Sequence, residues 1–189
     1  MNGSLAYQDD RWEEMIGGRL IMMAPASINH NRVIGNIFGL FNSFLKGRTC
    51  EPFTDGVATY LTEEDYYIPD VMVVCDPDKV QSDGVHGAPD LVVEVLSPGS
   101  AHYDRGRKKD VYEACGVKEY WIVDPANKTV EQHLLRDGKL TLDNAYAILP
   151  DWMLKRMRPE ARDAVVTEFK CSLYDDLTIT LEDVFARVQ

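Results

Sequence analysis

The fold is decided by two apolar runs, Pro-Asp-Val-Met-Val-Val at residues 69–74 and Ala-Pro-Asp-Leu-Val-Val-Glu-Val-Leu-Ser-Pro at residues 88–98. Near-continuous valine and leucine predict central strands that are covered on both faces of a sheet. Each run nevertheless contains a carboxylate, since Asp70 opens the first and Glu94 interrupts the second. Burying an unpaired carboxylate is costly unless a metal or a cation compensates its charge. The two carboxylates are therefore candidate functional residues.

Asp70 and Glu94 become neighbours if the two runs form an antiparallel hairpin across residues 76–89, which are predicted to be loop. Positions 70, 94 and 96 share parity and so point to one face of the sheet. Two carboxylates at such a spacing suit one Mg²⁺ or Mn²⁺ ion. Two alternatives remain: Glu94 on an edge strand facing water, and Asp70 as an ordinary turn residue. Asp90, which repeats the Pro-Asp step, is a rival metal ligand.

Lys108 is predicted to face inward from a helix over residues 100–116. The apolar stripe of that helix lies at positions 111, 112 and 115, and one further turn back brings Lys108 and then Asp104 onto the same face. A lysine there can hold an attacking water or stabilise the charge of a pentavalent phosphate. The alternative is that its side chain reaches the surface with the rest of the basic cluster 105–109.

His30 falls in the first turn of a second predicted helix, residues 28–46, which has apolar side chains at a period near 3.6. A histidine in a first turn is commonly a cap or a structural group, so a catalytic role is the weaker interpretation. Glu13 and Glu14 are weaker candidates of the same kind.

The remaining pattern predicts one α/β domain over residues 1–189, built on a mixed sheet. Residues 150–164 break the strand pattern and predict a short helical insertion. Further strands are predicted at residues 19–24, 49–53, 56–61, 118–123, 130–135, 165–173 and 177–181, with a short helix over 181–188.

Composition limits the possible functions. The chain has 189 residues, 45% of them hydrophobic, and a net charge of −11. That charge argues against general nucleic-acid binding, which depends on lysine and arginine. No apolar run is long enough for a membrane span and no secretory signal is evident. The four cysteines are scattered, which predicts free thiols in a reducing, cytoplasmic compartment.

The longest motifs resemble the Uma-two family of restriction endonucleases. They are the run at 87–98, the pattern Asp-Arg-Gly-x-Lys-x-x-x-Tyr at 104–112, and Gly-Val-Lys-Glu-Tyr-Trp-Ile-Val-Asp-Pro at 116–125. The similarity extends from Trp12 to the closing stretch 177–185. It implies the restriction-endonuclease-like PD-(D/E)XK fold, a central mixed β-sheet flanked by helices. The 150–164 insertion is longer than is usual in that family.

Carried over by position, the resemblance makes Asp70 the aspartate of the PD element and Glu94 the second acid. The lysine expected two residues later is replaced by Leu96, and the resemblance indicates that Lys108 takes its place. His30 corresponds to a family histidine with no assigned role.

The leading hypothesis is a Mg²⁺-dependent endonuclease acting on DNA, with the metal held by Asp70, Glu94 and the backbone carbonyl of Val95. A homodimer with no membrane association is expected. The alternative is a catalytically inert dimeric binding or scaffold protein of the same fold, which Leu96 and the acidic surface favour. Hydrolysis of a smaller phosphoester is a third possibility.

Overall fold

The structure, a computed structural model, describes residues 13–23 and 25–189. Its strands are β1 Glu13–Ile16, β2 Arg19–Met22, β3 Glu51–Thr54, β4 Thr59–Tyr60, β5 Tyr66–Tyr67, β6 Val71–Val74, β7 Val80–Gln81, β8 Gly84–His86, β9 Leu91–Val95, β10 Glu119–Asp124, β11 Thr129–Arg136, β12 Lys139–Ala147, β13 Glu168–Lys170 and β14 Thr178–Thr180. Its helices are α1 Ile28–Leu45, α2 Ala101–Arg105, α3 Arg107–Cys115, α4 Asp151–Leu154, α5 Pro159–Asp163 and α6 Leu181–Val184.

The two valine-rich runs, β6 and β9, lie side by side inside a six-stranded sheet of order β12-β11-β10-β9-β6-β3. Strand β9 pairs antiparallel with β6 and parallel with β10, which makes the sheet mixed, as predicted. Every residue of β6 and β9 is buried. The near-continuous apolar sequence reflects cover on both faces.

Two hydrophobic clusters provide that cover. On one face α1, α6 and the β13–β14 hairpin pack against the sheet through Ile37, Phe41, Trp121, Phe169 and Leu181. On the other face α3 and strands of a second sheet, ordered β2-β1-β5-β4-β8-β7, contribute Tyr67, Val85 and Tyr112. The two clusters divide the residues of β6 and β9 by parity, as a pleated strand requires.

Two sequence predictions fail locally. Residues 76–89 are not all loop, because they contain a 3-10 turn at Pro77–Lys79 and the short hairpin β7–β8. Val85 is fully buried there, and β8 pairs with β4. The helix predicted over 100–116 is broken at Gly106 into α2 and α3. A Cβ at Gly106 would lie 3.0 Å from the carbonyl oxygen of His102.

The cysteine prediction is wrong for one pair. Cys50 and Cys75 form a disulfide, whereas Cys115 and Cys171 are free. The antiparallel pairing of β3 with β6 aligns Glu51 with Val74, so the residues flanking that pair come face to face. The spacing in sequence does not reveal this register. Among the described residues no helix is long and apolar enough to cross a membrane. Trp12 and Ala24 lie outside the described residues.

Candidate functional site

A cavity of about 780 Å³ opens at the end of the central sheet where β6 begins and β9 ends. It brings together the four predicted site side chains, His30, Asp70, Glu94 and Lys108. Its other lining comes from β1, β2 and the segments 25–31 and 96–103. All of the described lining residues lie between positions 14 and 108.

Asp70 and Glu94 face each other across two neighbouring strands. The last paired residues of β6 and β9 are Val71 and Val93, so positions 70 and 94 are opposite each other one step beyond the ladder. Both side chains are buried. The main-chain N–H of Val95 donates to Asp70 Oδ2 at 2.6 Å and fixes that carboxylate. Asp70 and Glu94 are therefore neighbours, as the shared parity of positions 70 and 94 predicts.

Lys108 points inward from α3 and is only 3% exposed. Its Nζ lies 2.8 Å from Glu14 Oε1, 3.2 Å from Glu94 Oε1 and 3.6 Å from Asp104 Oδ1. The hydroxyl of Tyr112 donates to the same Glu94 oxygen at 2.7 Å. The surface alternative for this lysine is thus excluded by its position.

One ammonium group is shared by three buried carboxylates, which leaves the cluster short of positive charge. Burial, opposed by Lys108 and reinforced by neighbouring acids, raises the pKa of Glu94 well above its usual range. Burial likewise raises the pKa of Asp104, both of whose oxygens lack a hydrogen-bond partner among the described residues. Although its own burial acts in the other direction, the surrounding carboxylates raise the pKa of Lys108, which keeps it an ammonium.

His30 stands at the start of α1, where Ser27 caps the helix by accepting from the His30 main-chain N–H. Its Nε2 lies 3.5 Å from Asp70 Oδ2. Burial disfavours the charged ring, but Asp70 and the nearby Val95 carbonyl outweigh it and raise the pKa of His30. His30 therefore belongs to the helix cap and to the cavity at once.

Two further carboxylates line the cavity: Glu14, a weaker candidate from its sequence, and Asp55, which its sequence does not mark as a candidate. Glu14 Oε1 accepts from the main-chain N–H of Ile68 at 2.8 Å as well as from Lys108. Asp55 lines the cavity beside Asp70, and burial together with the charge of Asp70 raises its pKa. The partners of Glu14 are distant in sequence, so no local pattern marks it. Asp55 stands in a Thr-Asp-Gly sequence, which is typical of a turn and therefore gives no functional signal.

Asp90 lies at the opposite end of β9, about 13 Å from Glu94 along the strand. Its carboxylate accepts from the Cys75 main-chain N–H at 2.8 Å and from Lys118 Nζ at 2.7 Å. With its bonding accounted for in this way and its position far from the cavity, Asp90 is a strand-end anchor and does not share a site with Glu94.

The donor set fits a hard divalent cation. Asp70 and Glu94 each keep one carboxylate oxygen without a hydrogen-bond partner among the described residues, and both line the cavity. Across residues 13–23 and 25–189, no three His, Cys, Asp or Glu side chains form a ready metal cluster. Two carboxylates plus the Val95 carbonyl and water oxygens suit Mg²⁺, which keeps several of its waters.

Comparison with known proteins gives this geometry a context. Residues 4–165 match the model of the Uma2 (Uma-two) family, described as "Putative restriction endonuclease". Two uncharacterized proteins of Synechocystis sp. are similar: sll1609 is 32% identical over 64% of this chain and 70% of its own length. The second, slr1290, is 36% identical over 71% of this chain and 72% of its own.

A crystal structure of a nuclease described as "putative" and belonging to DUF820, from Anabaena variabilis, has the same fold. It aligns with a TM-score of 0.69 over 92% of this chain and 89% of that chain, at 18% identity. The structural match supports the nuclease-like fold, and the family match spans most of the sequence. The chain belongs to the Uma2 family.

Proposed function

We propose that this protein is a Mg²⁺- or Mn²⁺-dependent endonuclease that hydrolyses DNA phosphodiester bonds in the cavity at the end of β6 and β9. The observation that supports this most strongly is the opposition of two buried carboxylates, Asp70 and Glu94, with the Lys108 ammonium 3.2 Å from Glu94. Membership of a family of restriction endonucleases agrees with the proposal.

Charge balance supports a cation at this place. Lys108 is the only lysine or arginine among the described residues that line the cavity, against the carboxylates of Glu14, Asp55, Asp70 and Glu94. Buried like charges disfavour one another strongly unless a counter-charge is present. Asp70, Glu94 and the Val95 carbonyl would hold the ion. A divalent cation there lowers the pKa of a bound water and offsets phosphate charge.

The protein's own groups then have distinct tasks. Lys108, held as an ammonium, fixes the orientation of Glu94 and places positive charge beside the reacting phosphate. Asp70 holds one His30 nitrogen, which leaves the ring placed to orient a water or to keep a proton in the cavity. Leu96 also lines the cavity but brings no charge, so the single lysine from α3 serves in place of one on the strand.

Cleavage of supercoiled plasmid DNA with and without Mg²⁺ tests the proposal. Glu94→Gln keeps the shape of the side chain and its bond from Tyr112 but removes a charged ligand, so metal-dependent cleavage should disappear. Asp90→Asn is the matched control, because Asp90 also follows a proline at a strand end but lies outside the cavity. This variant should cleave DNA normally. Unchanged cleavage by Glu94→Gln would refute the assignment.

A second candidate is a catalytically inert dimer that binds a partner. The net charge of −11 and Leu96 favour it, because duplex DNA is repelled by an acidic protein. Calorimetric titration with Mg²⁺ and Mn²⁺ separates the two, since an inert scaffold should show no heat that depends on Asp70 and Glu94. Assays on nucleotides beside plasmid would identify a smaller phosphoester substrate. Homodimer formation remains a prediction.

A further inference from the structure

Residues 150–164, here called the basic segment, differ from the rest of the acidic surface. They contain α4, α5 and four of the 20 lysine and arginine residues of the chain: Lys155, Arg156, Arg158 and Arg162. Trp152 is 60% exposed, and all four cations lie at the surface. A large aromatic face beside several positive charges is an unusual arrangement for an otherwise solvated helical turn.

Three of these cations have no acidic partner. Among the described residues, no carboxylate lies within ion-pair distance of Lys155, Arg156 or Arg158, and Arg162 reaches only its neighbour Asp163 at 4.0 Å. Some cations elsewhere lie beside acids, as in Arg48–Asp176, Arg105–Glu131, Lys118–Asp90 and Lys139–Glu113, and others, such as Lys46, do not among the described residues. The segment also holds Asp151, Glu160 and Asp163, so its net charge is +1 in a chain whose net charge is −11. What distinguishes it is the exposed Trp152 beside three cations that no carboxylate of the described residues pairs with.

Hydrogen bonds connect the root of this segment to the rim of the cavity. The main-chain N–H of Ile148 donates to the Lys128 carbonyl, and Lys128 Nζ donates to the Val188 carbonyl at 2.9 Å. The next residue, Gln189, accepts through its carbonyl from the side chain of Asn29, the residue before His30. The start of the basic segment is thus connected by hydrogen bonds to the N-terminal end of α1, where His30 lies.

Sheet register gives the same placement. One row of the central sheet runs through Val95, Val123, Val130 and Tyr146. Strand β12 therefore ends at the same edge of the sheet as β9, three strands away, or about 14 Å. The basic segment follows directly after β12, so its first residues emerge within a few nucleotides' length of Glu94.

We propose that the basic segment binds an unpaired strand of DNA, with Lys155, Arg156 and Arg158 on the phosphates and Trp152 stacked on a base. Phosphates attract free cations, and every base offers an aromatic face to an exposed indole. This inference rests on the proposed nuclease function, which it deepens: it assigns the grip on the substrate to a segment that is outside the cavity. It also explains how so acidic a chain can hold a polyanion.

Binding is measured by fluorescence anisotropy with a fluorescein-labelled single-stranded DNA of about 20 nucleotides, in EDTA so that cleavage cannot occur. The test variant is Lys155→Gln/Arg156→Gln/Arg158→Gln, which should weaken binding at least about tenfold at low salt and flatten its salt dependence. Trp152→Ala should weaken binding about fivefold or more.

Lys46→Gln/Lys118→Gln/Lys139→Gln is the matched control, since it removes three surface charges at the far end of the molecule. Lys46 follows the C-terminal end of α1, about 27 Å from the end that bears His30. The side chains of Lys118 and Lys139 are themselves exposed, at 62% and 73%. The control should bind DNA as the unaltered protein does, and circular dichroism should show both triple variants folded.

Equal DNA affinity of the unaltered protein and the basic-segment variant would overturn the inference, as would an equal loss in the control. Vesicles containing phosphatidylserine test the other polyanion: retention that depends on the basic segment, without such dependence for DNA, would assign it to a membrane surface instead. A third outcome separates the two proposals. If the unaltered protein binds DNA without cutting it, and only the basic-segment variant fails to bind, the nuclease proposal fails and the DNA-binding proposal stands.

Discussion

Two consecutive residues of α3, Arg107 and Lys108, each bind a buried acid. The pKa of Asp65 beside Arg107 is lowered, whereas the pKa of Glu94 beside Lys108 is raised. Arg107 donates to both oxygens of Asp65, at 3.2 and 2.8 Å. Asp65 also accepts from the Tyr67 and Thr62 hydroxyls and from the Gly17 main-chain N–H. Burial opposes ionisation, but these bonds outweigh it and lower the pKa of Asp65 to about 2.

Lys108, by contrast, must serve Glu14, Glu94 and Asp104 together, and burial raises the pKa of Glu94. Both side chains have little exposed surface, but Glu94 lies deeper in the protein and has two side-chain donors, whereas Asp65 accepts five hydrogen bonds. Depth of burial and the number of donors together explain the opposite shifts in pKa. Asp65 has enough donors, and its ionised carboxylate links the turn after β1, strand β5 and helix α3 through hydrogen bonds. Where the donors are too few, the carboxyl groups hold their protons more tightly, and a bound cation would take the place of that proton as the compensating charge.

The largest expected difference concerns catalysis. Lys108→Gln should reduce Mg²⁺-dependent DNA cleavage about 100-fold or more, because the positive charge beside the reacting phosphate is lost. Arg107→Gln removes a neighbouring charge of the same sign and should leave the rate within about threefold of the original. Initial rates of plasmid cleavage at matched metal and salt concentrations measure both variants. An equal loss of cleavage rate in Lys108→Gln and Arg107→Gln would contradict the proposed difference between the two lysine- and arginine-bound acids, Glu94 and Asp65.

Metal addition should raise thermal stability through the Asp70 and Glu94 carboxylates and not through Asp65. Mg²⁺ at about 100 times its dissociation constant would add about 2.7 kcal/mol to the free energy of unfolding. For a chain of this size that corresponds to a rise in Tm of about 5–10 °C. Differential scanning fluorimetry should show this rise in the unaltered protein and in Asp65→Asn, and should show none in Glu94→Gln. A rise that persists in Glu94→Gln would place the ion elsewhere.

Acid should weaken the hydrogen bonds of Asp65 specifically. Because the folded-state pKa of Asp65 is about 2, below its ordinary value of 3.8, its stabilisation is complete above pH 4 and is lost as the pH falls toward 2. The stability difference between the unaltered protein and Asp65→Asn, at most about 2 kcal/mol, should therefore shrink over that range. Urea unfolding between pH 5 and the lowest pH at which the fold persists tests this. A gap independent of pH would contradict it.

The smallest effects come from a matched pair of tyrosines. Tyr67 donates to Asp65 and Tyr112 to Glu94, each at 2.7 Å. Tyr67→Phe should cost about 1 kcal/mol of stability and leave cleavage unchanged. Tyr112→Phe should reduce cleavage a few-fold at a similar cost in stability, because Glu94 loses one of its two donors. Paired measurements of Tm and cleavage rate check both. A change in cleavage rate for Tyr67→Phe would contradict the prediction that Asp65 and its donors take no part in catalysis.

Much of this arrangement follows from sequence pattern. Valine-rich runs predicted the central strands, parity predicted the opposition of Asp70 and Glu94, and the stripe on α3 predicted the inward direction of Lys108. Each of these inferences uses neighbours a few residues apart or one hairpin. The mixed sheet flanked by helices is confirmed, although the roles assigned to the site residues stay predictions.

Partners joined over long distances could not be predicted in this way. Glu14 meets Ile68 and Lys108 only after the second sheet has packed on the first. Glu119 is a further example, a fully buried acid satisfied by Trp121, Gln132 and Ser172. Like Glu94 it is an acid in a largely apolar strand, although it stands at the first position of β10. What separates them is the count of donors, which only the tertiary structure supplies.

The cavity is lined, among the described residues, by positions 14 to 108. Strands β10 to β12 and everything after them support that wall without forming it. Substitutions in the later half of the chain would therefore leave the cavity-lining residues unchanged. If the basic segment binds DNA as proposed, exchanging residues 150–164 between relatives would change substrate preference without altering the residues that line the cavity.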